Sequence, residues 1–278
     1  MKKILFPTDF SASANNAFLY ALNLAKTLKA EVLVLHVYDL PMITGSINAG
    51  VIQNVYETIE TGSFENFKDN IPHLKDIAKE NDLSEIPIKF ILEEGNFLYN
   101  LKKLTEEEEI DFVVMGTEGN TGLQKLLFGS NTINAITSLK IPVLSVPQDI
   151  SFKSYNNIGF TTIFEDRDKE ALKYLIKMAN RHKAKIHCMH VSKDGSYDDK
   201  ALKEWKIQFE NEPVIFEIIT DSDPVNAVIN AIDEKKLDLL TVVRRNKGFL
   251  DKIFSPSFTK TIVNKNIIPL FVFQEQDS

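Results

Sequence analysis

The chain has 278 residues, 44% of them hydrophobic and 26% charged, with a formal net charge of −7. That length holds one large domain or two ordinary ones with proper cores, and the negative balance argues against nucleic acid or an anionic membrane surface as the main partner. No stretch approaches the roughly 20 apolar residues of a membrane span, and one cysteine, Cys188, cannot form an internal disulfide, which points to a reducing, cytoplasmic compartment.

The opening MKKILFPTDF begins like a signal peptide, but Pro7 and Asp9 end its apolar run too soon. Ile4–Thr8 reads instead as a first strand. Phe18, Ala21, Leu22, Ala25 and Leu28 then recur at helical spacing, with Ser13 as the expected cap. Glu31–Val37 is a second strand. Asp39 to Gln53, with Pro41, Gly45 and Gly50, reads as a long loop, of the kind that includes lids as well as plain insertions. Ile88–Leu92 is a third strand, Asn96 to Glu109 a helix ending in an acidic run, and Asp111–Gly116 and Val143–Val146 are further strands. These runs are β-branched and apolar with little alternation, as strands buried on both faces of a parallel sheet require.

The chain is written twice. KILFPTDF (3–10) aligns with NIGFTTIF (157–164), and AKTLKAEVLVLHV (25–37) with ANRHKAKIHCMHV (179–191), both at a shift of 154 residues. Later, IDFVVMG (110–116) matches LDLLTVV (237–243) and IPVLSVP (141–147) matches IPLFVFQ (268–274) at a shift of 127. The second copy is therefore 27 residues shorter, and the loss falls between residues 38 and 110. The expected architecture is α/β, with two tandem doubly wound domains at 1–148 and 156–276. Each holds a five-stranded parallel sheet flanked by helices.

One stretch carries chemistry. GTEGNTGLQKLLFGSNT (116–132) leaves the fourth strand where ligands of open α/β sheets sit. Gly116 and Gly119 permit close approach or positive φ, and Leu123, Leu126, Leu127 and Phe128 offer to pin the excursion. Gly129-Ser130 precedes a helical pattern of Ile133, Ile136 and Leu139, so N–H groups at a helix start face the loop. There is no GK[ST] and no G-x-G-x-x-G after the first strand, which excludes the two commonest phosphate motifs. A plain glycine turn and a phosphate loop both fit the residues.

The spacing G-x2-G-x9-G-S at Gly116, Gly119, Gly129 and Ser130 resembles the ATP-binding signature of the universal stress protein family. KILFPTDFS, LHV and IPVLSVP resemble that family at their expected places. The resemblance covers essentially the whole chain. It implies strand order 3-2-1-4-5 in each domain and an adenine nucleotide (ATP, or AMP or ADP) across strands 1 and 4. Asp9 would lie beside the adenine, with main chain of Pro7 and Thr8. Val37 and Met115 would flank base and ribose. Gly116, Gly119, Gly129, Ser130 and the adjoining Asn131 would hold ribose and phosphates, with Mg or Mn riding on the phosphates. Asp9 has a plain alternative as a cap for the first helix. Glu118 departs from the neutral or basic residue common in that loop.

The second copy loses these features: Asp9 becomes Ile163, Gly116 becomes Val243, Gly119 becomes Asn246, and Gly129-Ser130 meets Ser255-Pro256 after a one-residue slip. Arg244, Arg245 and Lys247 read as a solvated basic loop or inter-domain contact. No residues form a catalytic or metal constellation: His36 and His190 are strand histidines, and His73, His182 and His187 share no metal spacing. The expected function is a cytoplasmic stress-response protein that binds ATP and regulates an unknown protein partner, touching neither nucleic acid nor membrane. Its two copies form an intramolecular pseudo-dimer, with further homodimerisation open. A weak ATP hydrolase and a nucleotide-free scaffold are the alternatives.

Overall fold

The computed structural model describes residues 1–43, 48–117, 129–245 and 268–274. In the first half, β1 (Lys2–Pro7), α1 (Ala12–Leu28), β2 (Ala30–Tyr38), α2 (Ala49–Glu80), β3 (Ile88–Glu94), α3 (Phe97–Glu107), β4 (Phe112–Gly116), α4 (Ser130–Ser138) and β5 (Val143–Val146) follow in order. The second half supplies β6 (Asn157–Thr161), α5 (Asp168–His182), β7 (Lys185–Ser192), α6 (Asp199–Gln208), β8 (Val214–Thr220), α7 (Pro224–Glu234), β9 (Leu239–Arg244) and β10 (Leu270–Gln274).

The strands form one ten-stranded sheet in the order β3-β2-β1-β4-β5-β10-β9-β6-β7-β8. Each half is parallel with the expected order 3-2-1-4-5, and the halves meet where β5 and β10 pair antiparallel, Leu270 opposite Ser145 and Val272 opposite Val143. β1 shows why its apolar run does not alternate with polar residues. Ile4 and Phe6 pack into one layer with α1, while Leu5 packs into the other with Leu101, Leu104 and Ile136. A strand with helices on both faces has no solvent side for polar residues to occupy.

The repeat reaches the backbone. Phe10 and Phe164 both have positive φ (60° and 62°), as do Lys29 and Lys183 at the ends of α1 and α5. Asp111 and Asp238 accept from the main-chain N–H of Lys3 and Asn157 at 2.7 and 2.9 Å. These pairs sit at the shifts of 154 and 127 read from the sequence.

Three expected details change. The α1 cap is Ser11, whose hydroxyl accepts from the Ala14 N–H at 3.2 Å; Ser13 lies inside the helix, buried. The long loop is shorter than expected, because Asn48 caps α2 through the Gly50 N–H at 2.8 Å and the helix already runs from Ala49. α2 has 32 residues against 10 in α6, and this accounts for most of the length difference between the halves. The helix expected to reach Glu109 stops at Glu107, and Glu109 takes a left-handed φ of 51°.

The junction of the halves carries a prediction. Val143 and Val146 are completely buried and Leu144 and Ser145 1% exposed, with β10 covering the outer edge of β5. An isolated fragment of residues 1–148 bares that edge, and open apolar edges recruit other strands. The fragment is expected to dimerise or aggregate in size-exclusion chromatography with light scattering, while the full chain does not associate through this edge. A stable, soluble monomeric fragment would show that the β5–β10 pairing is dispensable.

Candidate functional site

The site begins where β1 leaves the sheet. Thr8 N–H still bonds to the Leu35 carbonyl at 2.8 Å, but the Thr8 hydroxyl then accepts from Phe10 N–H at 2.9 Å, closing a tight turn with Phe10 at positive φ. Asp9 accepts from Ser11 N–H at 3.0 Å, so its carboxylate helps shape the entry to α1. His36 Nδ1 hydrogen-bonds to the Thr8 carbonyl at 2.8 Å, and its ring lies 4.7 Å from Phe10. The end of β1 is thus tied to β2 from below and aimed outward.

β4 supplies the other wall. Gly129 N–H donates to the Thr117 carbonyl, so the two ends of the excursion are clasped together. Thr132 Oγ1 donates to the Gly116 carbonyl at 2.8 Å, fastening α4 to β4. Gly129 is the N-cap of α4 and offers no side-chain acceptor, so among the described residues no side chain caps the first-turn N–H groups.

Between these walls lies a cleft of about 300 Å³. Pro7, Thr8 and Asp9 line it from the end of β1 and the turn after it, Val37 from β2, Met115 and Gly116 from β4, and Gly129, Ser130 and Asn131 from the cap and first turn of α4. Every expected site residue among the described ones is therefore brought to one place. Gly119, together with Glu118 and the four apolar residues of the excursion, lies outside the described residues. The sequence reading missed Ala14, His36, Phe97 and Thr132, which also line the cleft. His36 had a usable signal, since it sits in the LHV strand end beside the candidate Val37.

Gly116 needs a different explanation from the one its spacing suggests. A Cβ there would stand 2.7 Å from Ser13 Oγ and 3.1 Å from the Ser13 carbonyl oxygen. The missing side chain lets α1 approach β4, so this glycine serves packing before it serves any ligand.

The second half keeps the framework and changes the contents. His190 Nδ1 bonds to the Thr162 carbonyl at 3.0 Å, as His36 does to Thr8. But Asp168 takes the place of Ala14, fully buried, and Arg245 pairs with it. Arg245 is therefore committed to an internal partner, which corrects the expectation of a solvated basic loop or domain contact for it. Lys247, Asn246, Ser255 and Pro256 lie outside the described residues. Cys188 is buried; burial, and after it the charges of Asp168 and Glu217, push its thiol well above the ordinary value. It is no nucleophile at neutral pH. Among the described residues no helix is long and apolar enough to cross a membrane.

The family model described as "Universal stress protein family" matches residues 1–147. Universal stress protein MJ0577 of Methanocaldococcus jannaschii is 36% identical over 156 residues, which is 52% of this chain and 94% of the relative. Universal stress protein MJ0531 of the same organism is 31% identical over 145 residues, 52% of this chain and 81% of the relative. The crystal structure of a universal stress protein from Archaeoglobus fulgidus superposes with a TM-score of 0.70, covering 99% of this chain and 97% of that one. At 21% identity that likeness speaks to the fold alone. With the family model spanning more than half the sequence, the chain belongs to the universal stress protein family.

Proposed function

We propose that the N-terminal domain, residues 1–148, binds ATP in this cleft, and that the chain acts as a cytoplasmic stress-response regulator rather than a catalyst. The observation that carries this reading is the convergence of Pro7, Thr8, Asp9, Gly116, Gly129 and Ser130 around an uncapped helix start. Uncapped N–H groups and the positive end of the α4 dipole suit phosphate oxygens. Val37, Met115 and Phe97 give apolar walls for a purine. Asp9 reaches the same rim as an acceptor for an exocyclic amine. A divalent cation, Mg or Mn, rides on the phosphates.

The regulatory part of the reading rests on the polar groups of the cleft. Asp9 is engaged with Ser11 N–H and His36 with the Thr8 carbonyl. Both are turned toward holding the turn, and neither faces the other as an acid–base pair. The degenerate second domain, residues 156–276, completes the pseudo-dimer, and a protein partner reads the nucleotide state.

Calorimetric titration of the full chain with ATP, with ADP and AMP alongside, tests this, together with chromatography of nucleotide released from the purified protein. Asp9→Ala is expected to weaken ATP binding by about 1.5–3 kcal/mol, the worth of a hydrogen bond to a charged group. No heat and no released nucleotide would favour a scaffold. Steady ADP production would favour a hydrolase.

A further inference from the structure

The second half holds a carboxylate where the first half holds a methyl group. Asp168 corresponds to Ala14, and its side chain is fully buried. A buried carboxylate is costly unless it is paired and hydrogen-bonded. Here Oδ2 accepts from Thr162 Oγ1 at 2.7 Å and from Ile163 N–H at 3.2 Å, while Oδ1 meets the Arg245 guanidinium. Thr162 and Ile163 are the repeat counterparts of Thr8 and Asp9. In the first half Thr8, Asp9 and Ala14 all line the open cleft.

We propose that Asp168 is a built-in substitute for an anionic ligand, and that the second half retains an oxyanion pocket which its own side chain keeps filled. A hydroxyl, a backbone N–H and a guanidinium converging on one carboxylate form the donor set of a small oxyanion site. The pocket also has a donor to spare, for Arg245 Nε is buried without a hydrogen-bond partner among the described residues. The chemical class of external ligand that fits the emptied pocket is a small oxyanion such as acetate or inorganic phosphate. One half of the molecule is thereby held permanently in an occupied arrangement, and ligand response is confined to the other. The oxyanion pocket itself rests on the second-half contacts and stands whether or not the first cleft takes a nucleotide; only the confinement of ligand response to the first half rests on the proposed function.

The test uses the full chain with Asp168→Ala, melted in chloride, acetate and phosphate buffers of equal ionic strength. In chloride the melting temperature is expected to fall by roughly 6–15 °C, since removing the carboxylate strands the partly buried Arg245 guanidinium and the buried Thr162 hydroxyl. Acetate, and more so phosphate, should restore it in a saturable way, as binding to the folded state alone requires. The unsubstituted chain, with its pocket filled, should show no comparable acetate effect. Asp168→Asn fills the space without the charge, so its smaller loss should not respond to acetate. Arg245→Ala added to Asp168→Ala should erase the rescue. If Asp168→Ala fails to fold in chloride, folding recovered in acetate supports the pocket, whereas failure in all three buffers overturns it. A loss of stability equal in all three salts, or a rescue that survives Arg245→Ala, overturns it as well.

Discussion

Gly129→Val is expected to lower affinity for ATP by at least roughly 100-fold, about 2.7 kcal/mol, while the unliganded chain stays folded. Gly129 sits at φ −66° and ψ 158°, extended backbone that valine adopts readily. Its Cβ would stand 3.3 Å from the Thr117 carbonyl oxygen, a contact relieved by a shift of a few tenths of an ångström. The poorer cap costs about 1 kcal/mol or less in stability. The isopropyl group, however, rises beside the uncapped N–H groups of α4, where a phosphate must come close. Gly116→Ala should behave in the opposite way. Its Cβ meets backbone as well as side-chain atoms of Ser13, so α1 must move off β4, and overpacking of this kind costs about 1–3 kcal/mol before any ligand is added. Titration and thermal melting of both variants separate the two roles. Unchanged ATP affinity in Gly129→Val would remove the start of α4 from the site.

The contrast between these glycines shows what the sequence made legible. The spacing of Gly116 and Gly129-Ser130 pointed to the cleft, but not to which glycine packs against Ser13. That distinction depends on the distance between α1 and β4, a property of packing. The division into two similar domains was legible because the apolar runs repeat at two fixed shifts, whereas the strand order came from the family resemblance and the antiparallel sense of the β5–β10 pairing is visible only in the fold. Ser11 and Ser13 are equally good caps by residue type, and only the turn set by Thr8 and Phe10 decides for Ser11. The start of α2 was hidden by Gly50, which sits in its first turn. Asp168 was the largest omission. It follows three charged residues, Glu165 to Arg167, and reads as one more solvated charge until α5 folds it against β6.

That omission leads to the second large effect. Ala14→Asp is expected to close the N-terminal cleft to ATP by transplanting the second half's carboxylate into the first. Ala14 is 5% exposed and lines the cleft, so a side chain there enters the space available to ligand. In the second half the carboxylate is neutralised by Arg245, but the repeat counterpart of Arg245 in the first half is the acidic Glu118. The introduced charge would therefore stand without a cationic partner from that position. Two like charges within about 5 Å of each other, at an effective dielectric of about 20, repel by about 3 kcal/mol, somewhat more than 100-fold in affinity. Ala14→Asn has nearly the same size and no charge, so the difference between the two variants isolates the electrostatic part. The reverse change, Asp168→Ala, should not add a nucleotide site, because Ile163 and Val243 remain in place of Asp9 and Gly116. Titration with ATP should accordingly saturate at one nucleotide per chain in the unsubstituted protein and in Asp168→Ala. It should show strongly weakened binding in Ala14→Asp, and an affinity for that variant equal to that of Ala14→Asn would mean that the ligand lies away from α1.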